Sequence, residues 1–297
     1  MVDPAWPARP QPASLRHSVV WRVGRSRTGL LPMLFLLVLL AAALLAGVLA
    51  PYSPTRQSLF RAFEAPGRDH WVGTDDLGRD VFSRVLYGTR ASLRVALLAT
   101  VFSAVAGTLL GLVSGWWTGT LDNVIMRLMD ALLAFPTIVL ALGIIAMLGP
   151  GMNNAMLAIG IVGTPVFARL VRSQVLALRE RPFVEAARAL GRPEWGIIWH
   201  HGLPNTLPVI IVQTSLRLAE AVLVESALSF LGMGVQPPTP SLGMMLNDAR
   251  GFLTYAPWMA LAPGLTIFFT VLSINLLGDT LRDVLDPRLR GEPQGTV

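Results

Sequence analysis

The stretch Arg179-Glu180-Arg181-Pro182-Phe183-Val184-Glu185-Ala186-Ala187-Arg188-Ala189-Leu190-Gly191-Arg192-Pro193-Glu194-Trp195-Gly196-Ile197-Ile198-Trp199-His200-His201-Gly202-Leu203-Pro204-Asn205 is a charged, punctuated interval between two strongly apolar ones. Pro182 fits the first turn of a helix, where no backbone donor is needed and proline's fixed φ is already helical; Gly191 fits the position just past a helix end. The spacing predicts a short helix from Pro182 to Leu190. Phe183, Ala187 and Leu190 fall at i, i+4 and i+7 on one face, and Glu185 lies near the positive end of the helix dipole. Pro193 opens a second turn in which Trp195, Ile198 and Trp199 share a face, and Gly202 with Pro204 is expected to stop it. Helices this short are marginal in water, so each must pack on something. A bilayer surface and another protein are both open as that something.

At 297 residues, with 53% hydrophobic and only 14% charged, the chain belongs with membrane proteins and not with aqueous domains. Its isoelectric point of about 11.0 does not point to nucleic acid. The sequence has no lysine, and its 24 basic residues are arginines in short stretches between apolar runs, where they report orientation. With 0 cysteines, disulfides, thiol chemistry and cysteine metal sites are excluded.

Residues 1–29, with five arginines against the one acid Asp3, read as a basic cytoplasmic tail. Residues 30–50 are uncharged and have the length needed to cross a ~30 Å hydrocarbon core as a helix. That run exceeds the roughly 7–15 residue core of a cleavable leader, so it is expected to be a retained first span. Residues 51–92 form a polar extracytoplasmic segment in which Asp75 and Asp76 precede Leu77, Val81 and Val85 at helical spacing, the pattern of an interfacial amphipathic helix. The arginines Arg79 and Arg84 among the acids argue against calcium. Residues 93–279 hold five further spans, at about 93–117, 124–148, 155–171, 207–233 and 259–277, and residues 280–297 are a second cytoplasmic tail. The fold class is therefore an all-α membrane protein with six transmembrane helices. Gly107, Gly111 and Gly115 recur every four positions in the second span. Close approach of another helix and the ordinary abundance of glycine in membrane helices both account for them.

Placing both termini inside puts fourteen arginines in the inner segments against seven in the outer ones, and residues 172–205 then face the cytoplasm. Asp130, Arg217, Glu220 and Glu225 lie in or near spans, where an unpaired charge is costly. Arg217 and Glu220, at i and i+3, are expected to pair. Glu225 and Asp130 are candidates for a pathway or gate, with helix packing the other role open to Glu225. Pro136 and Pro165 are expected to interrupt the third and fourth spans, Pro136 beside the pathway. His200 and His201 point about 100° apart on a helix and lack further ligands, so no metal site is expected.

Glu185-Ala186-Ala187, then Gly191, then Leu203-Pro204 resemble the EAA loop of bacterial ABC importer permeases. Gly73-Thr74-Asp75-Asp76-Leu77-Gly78-Arg79-Asp80 with Ser83-Arg84 and Tyr87-Gly88, and Glu225-Ser226-Ala227-Leu228-Ser229-Phe230-Leu231-Gly232 with Pro237-Pro238-Thr239-Pro240, resemble the C-type membrane subunits of dipeptide and oligopeptide ABC importers. The likeness runs from about Leu30 to Arg290. It departs at His201, where an isoleucine is usual, and at Leu242, where a tryptophan is common. The resemblance implies a type I importer permease of the bacterial inner membrane, paired with a second homologous permease subunit, two ABC ATPase subunits and an extracytoplasmic peptide-binding protein. Phe183, Glu185, Ala186, Ala187, Leu190, Gly191, Leu203 and Pro204 would then couple to an ATPase. ATP and Mg would be held by those partners, and no cofactor by this chain. The implied cargo is a dipeptide or oligopeptide, with nickel chelates, glutathione, haem or antimicrobial peptides as alternatives.

A chain without lysine cannot carry the Gly-x-x-x-x-Gly-Lys phosphate loop, so nucleotide hydrolysis belongs elsewhere. An intramembrane enzyme would need a catalytic constellation at membrane depth, and none of His17, His70, His200 and His201 falls within an expected span. A channel or secondary transporter would need a selectivity filter or an internal repeat, and neither is visible.

Overall fold

Helix α3 (Val81–Trp116) is the axis of the molecule, and its start is set by Asp80, whose carboxylate accepts the Ser83 N–H at 2.8 Å. A computed structural model describes residues 27–285, and its described residues are helical apart from turns and one isolated bridge, Thr74 with Asp80. The 1–29 tail and the end of the 280–297 tail lie largely outside them. Before α3 come α1 (Arg27–Leu44) and the short α2 (Ala46–Leu49). The amphipathic helix expected around Leu77–Val85 is not a separate element: residues 74–80 are a turn, and the rest is the beginning of α3. Asp75 cannot cap a helix because its carboxylate is already engaged by the N–H groups of Leu77 (3.0 Å) and Arg79 (2.8 Å) and by the Arg79 guanidinium (2.6 Å).

At 36 residues α3 is about 54 Å long, well beyond a ~30 Å hydrocarbon core, so part of it stands clear of the membrane. It packs along α6 (Met152–Arg179), and the glycine seam is the contact. A Cβ at Gly107 would fall 2.4 Å from Phe167 Cβ, at Gly111 2.5 Å from the Ala168 carbonyl oxygen, and at Gly115 2.9 Å from Val175 Cβ. Of the two readings of the repeat, close helix approach is the one realised. Pro165 does not interrupt α6, which runs unbroken through it. Pro136 does break its run: α4 (Thr120–Leu133) and α5 (Thr137–Leu148) meet at 97°, with Pro136 just ahead of α5. Asp122 anchors α4 to α6 through two 2.6 Å bonds from Arg172, and Asp130 pairs with Arg169.

After α6 come α7 (Pro182–Ala189), α8 (Glu194–Ile197), a single π turn (Ile198–Gly202) and the long α9 (Leu203–Phe230), then α10 (Leu242–Ala249) and α11 (Trp258–Leu285). Val95, Ala99, Ile145, Ile159, Val222 and Leu228 make the central core, drawn from α3, α5, α6 and α9. The expected Arg217–Glu220 pair forms. At the opposite end from α7, Arg84, 3% exposed in its side chain, lies 3.2 Å from Asp248 and 3.4 Å from Asp75, tying α3 to α10. Burial pushes the Asp248 carboxyl above its ordinary range, with Arg84 and Arg79 pulling it back. Four helical segments, Val81–Trp116, Met152–Arg179, Glu194–Phe230 and Trp258–Val284, have the length and apolarity to cross a membrane, and the bent α4–α5 pair makes a fifth if counted together. The apolar part of α1, Gly29–Leu44, is short for a crossing by itself.

Candidate docking site

The α7 region is built as its sequence dictates, with Pro182 in the first turn and Gly191 at φ +76° closing it. The Gly191 N–H donates to Arg188 O at 2.8 Å and the Arg192 N–H to Ala187 O at 3.1 Å, the paired bonds of a Schellman cap. The turn that follows departs from expectation. Gly202 and Pro204 do not end a helix: the π turn leads straight into α9, whose first turn is where Pro204 needs no donor. Nor do Trp195, Ile198 and Trp199 share one environment. Ile198 is buried with Ile197, while Trp195 and Trp199 are exposed.

Burial divides α7 in the same way. Val184 is fully buried in a cluster with Leu112, Trp116, Phe167, Val175, Ile197 and Ile198. Ala187 and Leu203 pack half-buried on its edge, while Glu185, Ala186, Gly191 and Pro204 are exposed. Of the expected apolar face, Phe183 is 43% and Leu190 87% exposed, so the stripe Phe183, Ala187, Leu190 does not turn inward as a unit. Trp195 and Trp199 are exposed as well, so the connection between α6 and α9 carries four exposed large apolar side chains, Phe183, Leu190, Trp195 and Trp199. Exposed apolar side chains at the end of a bundle are open to contact with another protein or with the bilayer surface.

Side-chain contacts tie this connection to the end of α3. The Trp116 indole N–H donates to Glu194 at 2.5 Å, and the Arg188 guanidinium, which lies 5.5 Å from the Trp116 ring centroid, reaches the same carboxylate at 2.9 Å. Trp117 packs on Trp195 with ring centroids 4.6 Å apart, and His201 lies 5.8 Å from the Phe183 ring. Val184, Trp116 and Glu194 are supports that sequence spacing did not single out. The tryptophans, Trp116 and Trp117 at the end of the second apolar run and Trp195 and Trp199 within the interval, were the available signal.

The other sequence candidates sit elsewhere. Asp130 is on α4 against Arg169 and Pro136 at the α4–α5 bend, whereas Glu225 is 1% exposed inside α9, accepting from Ser229 Oγ at 2.7 Å. Beside it α10 begins: a Cβ at Gly243 would fall 2.0 Å from Ser226 O, and the Leu242 N–H reaches Ser92 Oγ at 3.3 Å. Glu225 is thus part of the seam joining α3, α9 and α10 and does not reach the surface. Among the described residues no group of three or more His, Cys, Asp and Glu is arranged to hold a metal ion.

Helices of membrane-crossing length, two of them joined through a short helix with exposed apolar side chains, define a multi-span helical membrane protein. Residues 107–291 match the family described as binding-protein-dependent transport system inner membrane component, and the chain belongs to that family. It is 45% identical to the dipeptide transport system permease protein DppC of Alkalihalophilus pseudofirmus, over 86% of this chain and 85% of that one. It is 43% identical to the glutathione transport system permease protein GsiD of Escherichia coli O157:H7, over 93% of this chain and 91% of that one. Its fold is similar to that of the MetNI methionine ABC transporter in inward-facing form, with a TM-score of 0.58 at 20% identity, covering 69% of this chain and 97% of that one. The chain is a multi-pass permease subunit of an inner-membrane ABC importer with the type I fold, and is not itself an enzyme.

Proposed function

We propose that this subunit imports short peptides, driven through α7 by ATP hydrolysed on separate ATPase subunits. The observation that carries the coupling role is the exposure of Phe183, Leu190, Trp195 and Trp199 on the connection between α6 and α9, which Glu194 ties to Trp116 on α3. In this reading six spans, counting α1 with α2 and the α4–α5 pair as one each, leave both termini and α7 in the cytoplasm. A second, homologous permease subunit completes the pathway, two ATPase subunits hold the ATP and Mg, and an extracytoplasmic binding protein delivers the cargo. Closure of the ATPases pulls α7 and with it α6 and α9, shifting the assembly between inward-open and outward-open states by contacts made in only one of them. The likeness to DppC supports a dipeptide cargo, and the likeness to GsiD supports glutathione, itself a short peptide, as a second one.

The test is uptake into vesicles carrying the complete assembly, with its binding protein, of a labelled dipeptide and of glutathione. ATP-dependent accumulation of either supports the reading; ATP hydrolysis stimulated by the binding protein with neither peptide accumulated rejects the cargo.

A further inference from the structure

Arg90 and Arg94 stand one turn apart on α3, both exposed, and both line a cavity of about 410 Å³ whose other walls are Met152 at the start of α6 and Val235, Gln236 and Thr239 after α9. The volume is in the range of small-molecule sites. Its floor is apolar, with Ala91 and Val235 nearly buried, and Tyr87 stands one turn before Arg90. On the same part of the chain Arg61, Arg79 and Arg84 each hold an acid, but among the described residues no carboxylate lies within 4.0 Å of Arg90 or Arg94. Arg94 is also the last charge on α3 before its uncharged half. Two like charges kept together at the rim of one recess, without an acid of their own among the described residues, leave their donors free for an anion from outside the chain. Two guanidiniums one turn apart offer the forked N–H donors that a carboxylate accepts on both oxygens. A recess also suits a free molecule better than the headgroup of a lipid, which would meet arginines on the convex perimeter.

We propose that Arg90 and Arg94 receive a carboxylate of the transported peptide as it enters the pathway. This deepens the peptide-import reading and rests on it. Gln236 contributes shape and its carbonyl oxygen, since its amide N–H groups already donate to Gly232 O at 2.9 Å and Gly234 O at 3.1 Å.

The experiment compares the wild-type assembly with Arg90→Gln/Arg94→Gln, with Arg90→Lys/Arg94→Lys, and with Arg250→Gln, an exposed charge away from the cavity. Each is reconstituted with its ATPases and binding protein, in phosphatidylcholine vesicles with and without phosphatidylglycerol. Dipeptide accumulated per ATP hydrolysed is measured against binding-protein concentration. The expected result is a fall of about tenfold for the glutamine pair in both lipids, partial recovery for the lysine pair, and no change for Arg250→Gln. A shift in the half-saturating binding-protein concentration at unchanged peptide per ATP would make the arginines a contact for that protein, and a defect confined to one lipid composition would make them a lipid contact. Either result overturns the proposal, as does an unchanged glutamine pair. If the wild type moves no peptide while its ATPase responds to the binding protein, the cargo reading fails first and this proposal with it; a wild type that transports normally beside an unaffected glutamine pair leaves the cargo reading standing and removes only this site.

Discussion

Val184 and Leu190 belong to the same short segment and meet opposite environments, 0% exposed in one case and 87% in the other. A buried, unpaired carboxylate is among the costliest single changes, so Val184→Asp is expected to lower stability by about 3 kcal/mol or more and to abolish assembly. Leu190→Asp, by contrast, should change stability by less than about 0.5 kcal/mol while reducing ATPase retention about tenfold, the pattern of an interface anchor. Thermal unfolding of the purified subunit, with pull-down of the ATPases, separates the two effects. A second residue pair tests the helix seam. Gly111→Val drives its side chain into the Ala168 carbonyl and is expected to cost about 2–3 kcal/mol, whereas Gly143→Ala, with nothing within 4 Å of the new Cβ, should leave the unfolding temperature unchanged or slightly raised.

At the scale of elements, two features fix how α7 and α4 sit on α6. Proline at 191 cannot adopt φ +76° and removes the N–H that closes the Schellman cap, so Gly191→Pro should re-aim α7 and uncouple transport from ATP hydrolysis while the subunit still inserts. Glu185→Lys, at an exposed position, should uncouple without lowering stability; normal uptake in both variants would contradict a coupling role for α7. Asp122 is nearly buried under Arg172, and Asp122→Asn should loosen α4 by about 1–2 kcal/mol, seen as roughly tenfold faster amide exchange confined to that helix. The limits of α7 were legible in the sequence because proline and glycine act locally. Which of its faces turns inward was not. Phe183, Val184, Ala187 and Leu190 make the helix apolar on more than one side, and the choice is made by Trp116, whose partner Glu194 is 78 residues away. The amphipathic helix was misplaced for a nearer reason: the Asp75 carboxylate is taken by the Leu77 and Arg79 N–H groups and by the guanidiniums of Arg79 and Arg84, which holds residues 74–80 as a turn.

For the whole molecule, the apolar runs were enough to read a multi-span helical membrane protein, and the residues around Gly191 were enough to delimit α7, the element proposed to be driven. The Arg90–Arg94 cavity was not legible, because it is assembled from the first half of α3, the start of α6 and the loop after α9, segments distant in sequence. An ATPase seated on α7 must cover Leu190, which is 87% exposed in the subunit alone. The chain has 0 cysteines, so Leu190→Cys introduces a single reporter thiol. Its labelling by a membrane-impermeant maleimide, in inverted vesicles stripped of ATPases and again after the ATPases are added back, reads that cover directly. Rapid labelling of the stripped vesicles and strong protection on reassembly are expected if the ATPase seats on α7; equal labelling in both, with the ATPases rebound, would place the ATPase elsewhere.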